Sequence, residues 1–135
     1  MELVSKFTVE NRDLNSLHAR AFGEIPKEID WAQRLADHAL TWIGAFDSEA
    51  LIGFVQVIWD GGAHAFLLDT VVDPEWQHHG IGTALVKQAA LEAKTGGCEW
   101  LHVDFEAELA NFYLAECGFQ STTAGLLNLS TKVPG

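Results

Sequence analysis

Two glycines bracket an isoleucine in the run VVDPEWQHHGIGTALV, residues 71 to 86, where an apolar strand pattern gives way to a helical one. Glycine weakens a helix, so its use at a helix mouth asks for a reason. The first helical turn leaves backbone N–H groups without partners and carries partial positive charge. A glycine there lets an anion come close, because no Cβ stands in the way. Gly80 and Gly82 therefore suit a helix mouth that holds phosphate, with the Thr83 hydroxyl as an added donor. The competing use of such glycines is a tight turn that serves helix–sheet packing alone. The run fits neither the dinucleotide pattern GxGxxG nor the P-loop pattern, which disfavours nicotinamide enzymes and P-loop nucleotidases. No His, Asp or Glu group shows metal-ligand spacing, so no metal is expected. The two cysteines, Cys98 and Cys117, have no such spacing either and read as buried reduced thiols.

The elements that position this turn are legible in the surrounding periodicity. Residues 11 to 22 read as a helix with Asn11 as N-cap and Leu14, Leu17 and Ala21 on one stripe. Pro26 breaks the path, and Asp30 caps a second helix carrying Trp31, Leu35 and Ala39. TWIGAF, the turn DSEA and LIGFVQVIW read as an antiparallel hairpin. Its second strand is apolar on nearly every residue, which implies cover on both faces. After Asp60-Gly61-Gly62, AHAFLLDTVV forms another strand. The helix opened by Gly80 places Ile81, Ala84, Leu85 and Ala89 on one side and ends near Gly96-Gly97. CEWLHVDF follows as a strand, ELANFYLAEC as a helix closed by Gly118, and GLLNLS as a last strand. The expected fold is α/β, a mixed and mostly antiparallel sheet flanked by about four helices.

The chain has 135 residues, enough for one domain with a core, and no repeat or linker divides residues 1 to 135. Apolar residues make up 48% and charged residues 20%, which places it with ordinary globular proteins. No run is long enough to span a membrane, and MELVSKFTVEN does not read as a leader, so a cytoplasmic protein is expected. The net charge of −11 repels phosphate backbones and makes nucleic acid a poor partner. The same charge attracts cationic small molecules, or serves solubility alone.

The run V-V-D-P-E-W-Q-H-H-G-I-G, followed by a helix, a strand and N-F-Y-L-A-E-C-G-F, resembles the GNAT superfamily of N-acetyltransferases. Gln77, Gly80 and Gly82 meet the family's first motif, Q/R-x-x-G-x-G/A. Phe112, Tyr113, Gly118 and Phe119 meet its late helix motif. The resemblance is good from about Thr41 to Phe119 and only topological before that. It implies a sheet splayed between its middle strands and acetyl-coenzyme A as co-substrate. It also implies that backbone N–H groups of His78, His79, Gly80, Ile81, Gly82 and Thr83 hold the pyrophosphate, with Gln77 bracing the turn. The edge formed by Thr70, Val71 and Val72 would pair with the pantetheine arm, and Tyr113 would protonate or hydrogen-bond the leaving thiolate.

Two residues are candidates for the base. Many relatives carry a glutamate in an L-E-V-like context after the glycine helix, where this chain has Leu101-His102-Val103. Imidazole titrates near neutrality, which suits His102 to the task; a structural histidine is the alternative. Asp69, close to the expected splay, is the second candidate, against a solvent-facing strand carboxylate. Departures from the family are Glu106 where an asparagine often bonds pantetheine, and Gln77 where a basic residue is usual, with Lys87 one turn further on. Cys117 reads as packing rather than a nucleophile.

The resulting expectation is acetyl transfer to a primary amine by direct attack in a ternary complex. The acidic balance favours a small cationic amine, with a protein or peptide N-terminus as the other acceptor. A non-catalytic coenzyme A-binding regulatory module is the rival from a different class. A homodimer is a candidate assembly, with GLLNLS pairing across the interface.

Overall fold

The computed structural model describes residues 1–131. Its five strands form one sheet in chain order: β1 (Glu2–Ser5), β2 (Ala39–Asp47), β3 (Ala50–Trp59), β4 (His64–Val72) and β5 (Trp100–His102). The first four pair antiparallel, and β5 runs parallel to β4. The α-helices are α1 (Asn11–Phe22), α2 (Trp31–His38) and α3 (Ile81–Thr95). The segment expected as a last helix is a 3-10 turn, Ala107–Leu109, running into a six-residue π-helix, Asn111–Glu116. This is the mixed α/β architecture expected from the sequence. No helix among the described residues is long and apolar enough to cross a membrane.

The apolar run of β3 has the cause anticipated for it, because both of its faces are covered. Val55 and Val57 pack with Leu85, Val86 and Ala89 of α3. Phe54, on the opposite face, packs with Leu14 and Leu17 of α1 and Trp31 and Leu35 of α2. Each such side chain stabilises the fold by roughly 1.5–3 kcal/mol on burial. The sheet is thus a partition with a separate core on each side.

Several local expectations need correction. Residues 2–5 form β1, paired with Ile43 to Phe46, although no strand was read there. Asn11 is the first residue of α1, not its cap, and Glu10 at the N-cap makes no side-chain bond. The Asn11 side chain reaches α2 instead: its Oδ1 accepts from the Ala32 N–H at 2.8 Å, and its Nδ2 donates to Asp30 at 3.0 Å. Asp30 caps α2 as expected, accepting from the Gln33 N–H at 3.1 Å. GLLNLS forms no strand. An apolar pattern marks a face that could be buried, but a strand also needs a partner ladder, and these residues pair with none of the five strands. Leu126, Leu127 and Leu129 are consequently 86%, 59% and 72% exposed.

Glu92 ties α3 to the edge of the sheet. Its carboxylate accepts from Thr41 Oγ1 at 2.5 Å, from Gln88 Nε2 at 2.8 Å and from the Ser5 hydroxyl. Burial pushes its carboxyl up, but these three bonds and the nearby Lys6 charge outweigh burial and hold it below the ordinary glutamate value. The anchor is therefore complete above about pH 4.5, the ordinary value, and is lost as pH falls through the lowered one. Glu92→Gln is expected to cost about 1–2 kcal/mol at neutral pH. Denaturant titrations at several pH values should show that difference shrinking in acid.

Candidate active site

β4 pairs with β5 only through His64, Ala65 and Phe66. β5 ends at His102, while β4 runs on to Val72 still bonded to β3. From Leu67 onward β4 therefore has an unanswered edge on its β5 side. The gap where β4 and β5 part forms a cleft; the splay was expected between middle strands, but it lies beside the edge strand β5, because GLLNLS adds no strand beyond it.

The glycine-bearing turn closes one end of this cleft. A 3-10 turn, Pro74–Trp76, is capped by the Asp73 carboxylate through the Glu75 N–H at 3.0 Å. Asp73 also pairs with Arg20 at 3.0 Å, fixing α1 to the turn. Gln77 Nε2 reaches the Val72 carbonyl at 3.4 Å, and His79 Nδ1 lies 3.0 and 2.8 Å from the carbonyls of Trp76 and Gln77. His79 is thus folded back on its own loop. His78 and Gly80 take left-handed backbone, at φ 66° and 78°. Gly80 is the N-cap of α3, no side chain caps that end, and open space surrounds the position a Cβ would occupy. The two glycines have different tasks. A Cβ on Gly82 would stand 3.2 Å from the Phe112 ring, so this glycine lets the π-helical segment pack on α3. Ile81 sends its side chain into the core, away from the mouth.

Asp69 and Thr70 sit at the middle of the cleft, where the β3–β4 register slips between Phe54 and Gln56. Asp69 takes φ 58°, an uncommon backbone for a non-glycine residue inside a sheet. Such strain persists only where surrounding bonds hold it. Here the buried Gln56 donates to Asp69 Oδ2 at 2.5 Å. The bulge turns the Asp69 carboxylate to the α1–α2 side of the sheet. Thr70 faces Tyr113 on the other side, close enough to hydrogen-bond to it. Adjacent residues thus serve opposite faces.

Tyr113 is buried among Phe105, Phe112 and Phe119, with ring centroids 5.0, 4.8 and 5.9 Å away. Burial pushes its phenol up from the usual value, and the Thr70 bond offsets this in part. It is a proton donor at neutral pH. Burial likewise raises the Cys117 thiol, with Glu116 adding to the shift and Lys87 opposing it, so this cysteine is no ready nucleophile.

On the Asp69 side a pocket of about 210 Å³ lies between α1, the loop after it and α2. Asn15 builds its wall: it accepts from Trp31 Nε1 at 3.0 Å and donates to the Ile29 carbonyl at 2.9 Å. His18 lines the pocket as well, stacked on Trp31 with centroids 4.7 Å apart. These residues were not singled out from sequence, since an asparagine and a histidine on an amphipathic helix carry no signal of the loop they will meet.

The structure places Asp69 and Thr70 on the open stretch of β4, with Tyr113 on the Thr70 side, and leaves His102 at the point where the strands part. His102 stands opposite Phe66, three residues before Asp69, roughly 10 Å along the strand at ~3.3 Å per residue. It stacks on Phe66 and lies 2.8 Å from His64 Nδ1 through its Nε2, outside the lining of the pocket. Glu106 is exposed and opens the 3-10 turn before the π-helix. Among the described residues no three metal-ligating side chains converge.

A family model described as acetyltransferase (GNAT) family matches residues 8–119. No curated protein matches the chain. Among solved structures, an acetyltransferase of Trypanosoma brucei superposes with a TM-score of 0.76 at 19% identity, covering 95% of this chain and 100% of that one. The aminoglycoside 6'-N-acetyltransferase of Acinetobacter haemolyticus gives 0.71 at 19% identity, with 99% and 100% covered. The glucosamine-6-phosphate N-acetyltransferase of Arabidopsis thaliana gives 0.72 at 14% identity, with 95% and 98% covered.

The strained bulge makes a test of the geometry. Asp69→Asn keeps an acceptor for Gln56 and a side chain tolerant of left-handed backbone, so thermal unfolding should shift by less than about 1 kcal/mol. Asp69→Ala leaves the buried Gln56 amide unpaired and should cost about 1–3 kcal/mol.

Proposed function

The chain belongs to the acetyltransferase (GNAT) family, and on that premise we propose that it moves an acetyl group from acetyl-coenzyme A to a primary amine. The single observation that carries this reading is the cleft itself. An uncapped helix end, an unanswered strand edge and a buried tyrosine line up on one side of Asp69–Thr70, with a small pocket on the other.

The residues present fit the coenzyme. The N–H groups of His78, His79, Gly80, Ile81, Gly82 and Thr83 offer donors to a diphosphate at an exposed mouth. The edge at Thr70, Val71 and Val72 can satisfy an amide-bearing arm as a neighbouring strand would. When bound, the coenzyme supplies an acetyl thioester whose C–S bond breaks as the amine nitrogen bonds to the carbonyl carbon. Tyr113 gives a proton to the departing sulfur. Asp69 takes the proton that the amine sheds, directly or through water. That role falls to Asp69 rather than His102 because Asp69 lines the pocket, whereas His102 is engaged with His64. An amine like that of lysine is uncharged in roughly one molecule in a few thousand at pH 7, so an acceptor for its proton is needed.

The pocket's modest volume supports a small-molecule acceptor over a protein N-terminus, and the net charge of −11 favours the approach of its ammonium group. The exposed leucines of the tail and the free edge of β5 support pairing with a second copy, and light scattering should then report a dimer.

Titration calorimetry should detect acetyl-coenzyme A binding, and thiol release should follow on addition of an amine. Tyr113→Phe should bind the coenzyme with unchanged affinity while turnover falls about 100-fold. Asp69→Asn should lower turnover by a similar factor, with acceptor binding weakened as well. Coenzyme binding with no turnover on any amine would instead favour a non-catalytic binding module.

A further inference from the structure

Resting on the acetyl-transfer reading, we infer that the acceptor is an amine that also carries an anionic group, a carboxylate or a phosphate, held by Arg34 and Lys27. The charged residues lining the pocket are Glu24 and Asp69 on one hand and Lys27 and Arg34 on the other. The chain as a whole has 19 acidic and 8 basic side chains, so the pocket does not repeat the acidic balance of the surface. Its two cations come from the loop after α1 and from α2, while Asp69 comes from the sheet beneath them. Glu24 shares its loop with Lys27, whereas Asp69 faces the two cations from β4, so the cations and the Asp69 carboxylate can meet the two ends of one small molecule.

Arg34 is the better argued of the two. Its guanidinium lies 5.2 Å from the centre of the Trp31 ring, and Trp31 is in turn held by Asn15. The cation thus lies over an aromatic wall of the pocket, and among the described residues it pairs with no carboxylate, the one ion pair being Arg20–Asp73. Its N–H fork is available, and that fork matches carboxylate and phosphate oxygens.

A second observation points to a ligand in the same pocket. His18 Nδ1 lies 3.0 Å from the Leu14 carbonyl, so it donates there, and Nε2 is the ring's remaining polar atom. That Nε2 is buried without a hydrogen-bond partner, alone among the buried side-chain polar atoms described. An unpaired buried polar atom is costly. His18 lines the pocket, so a polar group of the acceptor molecule that reached Nε2 would complete it.

The experiment is a steady-state comparison of matched acceptors on the full chain: amino acids against their amides, and aminosugar phosphates against the free aminosugars. One arm reads carboxylate and the other phosphate. The expected result is a preference of at least about tenfold in kcat/KM for the anionic member of one pair, carried by KM. Arg34→Gln should reduce that ratio about tenfold, and Arg34→Lys should restore part of it. Arg34 is exposed, and thermal unfolding of each variant separates misfolding from lost selectivity. Turnover with equal preference for the members of both pairs, or a ratio untouched by Arg34→Gln, overturns this inference alone. Absence of turnover on every amine, with no coenzyme binding, overturns the acetyl-transfer reading and this one with it.

Discussion

Backbone N–H and C=O groups on a strand require partners, and β4 loses them on one side beyond Phe66. That parting is the constraint on which the remaining features depend. It exists because β5 is three residues long while β4 is nine, so β4 runs on past the end of its partner. The cost of an open edge is tolerable at a surface, where water answers the groups. It becomes useful where an amide-bearing ligand can replace that water.

The bulge at Asp69 converts one strand into two half-sites. Without the slipped register, consecutive residues would still alternate faces, but the Asp69 carboxylate would not be turned and held by Gln56. Gln56 is nearly inaccessible, and a buried amide with one strong partner is a stiff support. The Arg20–Asp73 pair extends the same logic to the other end of the cleft, since it joins the pocket's helix to the glycine-bearing turn. The two halves of the site are thus coupled through α1.

The two glycines show how residues alike in type differ in purpose. Gly80 is needed for its left-handed backbone, and Gly82 for the closeness of Phe112. Phe112 and Tyr113 share the π-helical segment, so packing at Gly82 also sets where the phenol stands. A residue read as serving an anion therefore also positions Tyr113.

Local patterns in the chain determined a good deal. The 3.6-residue stripes of α1, α2 and α3, the hairpin of β2 and β3 and the Asp30 cap follow from short-range periodicity and turn chemistry, which need no distant partner. The glycine-bearing turn ahead of α3 was legible for the same reason, while Tyr113 was singled out only through the family resemblance. Only the tertiary structure decided that β1 joins β2, that Asn11 caps α2 rather than its own helix, and that GLLNLS finds no ladder. It alone put Asp69 in the lining of a pocket and left His102 out of it, and brought Asn15, His18 and Arg34 around that pocket. These outcomes depend on contacts between residues far apart in sequence, and a side chain's neighbours across a sheet or between helices leave no periodic trace in the chain that carries it.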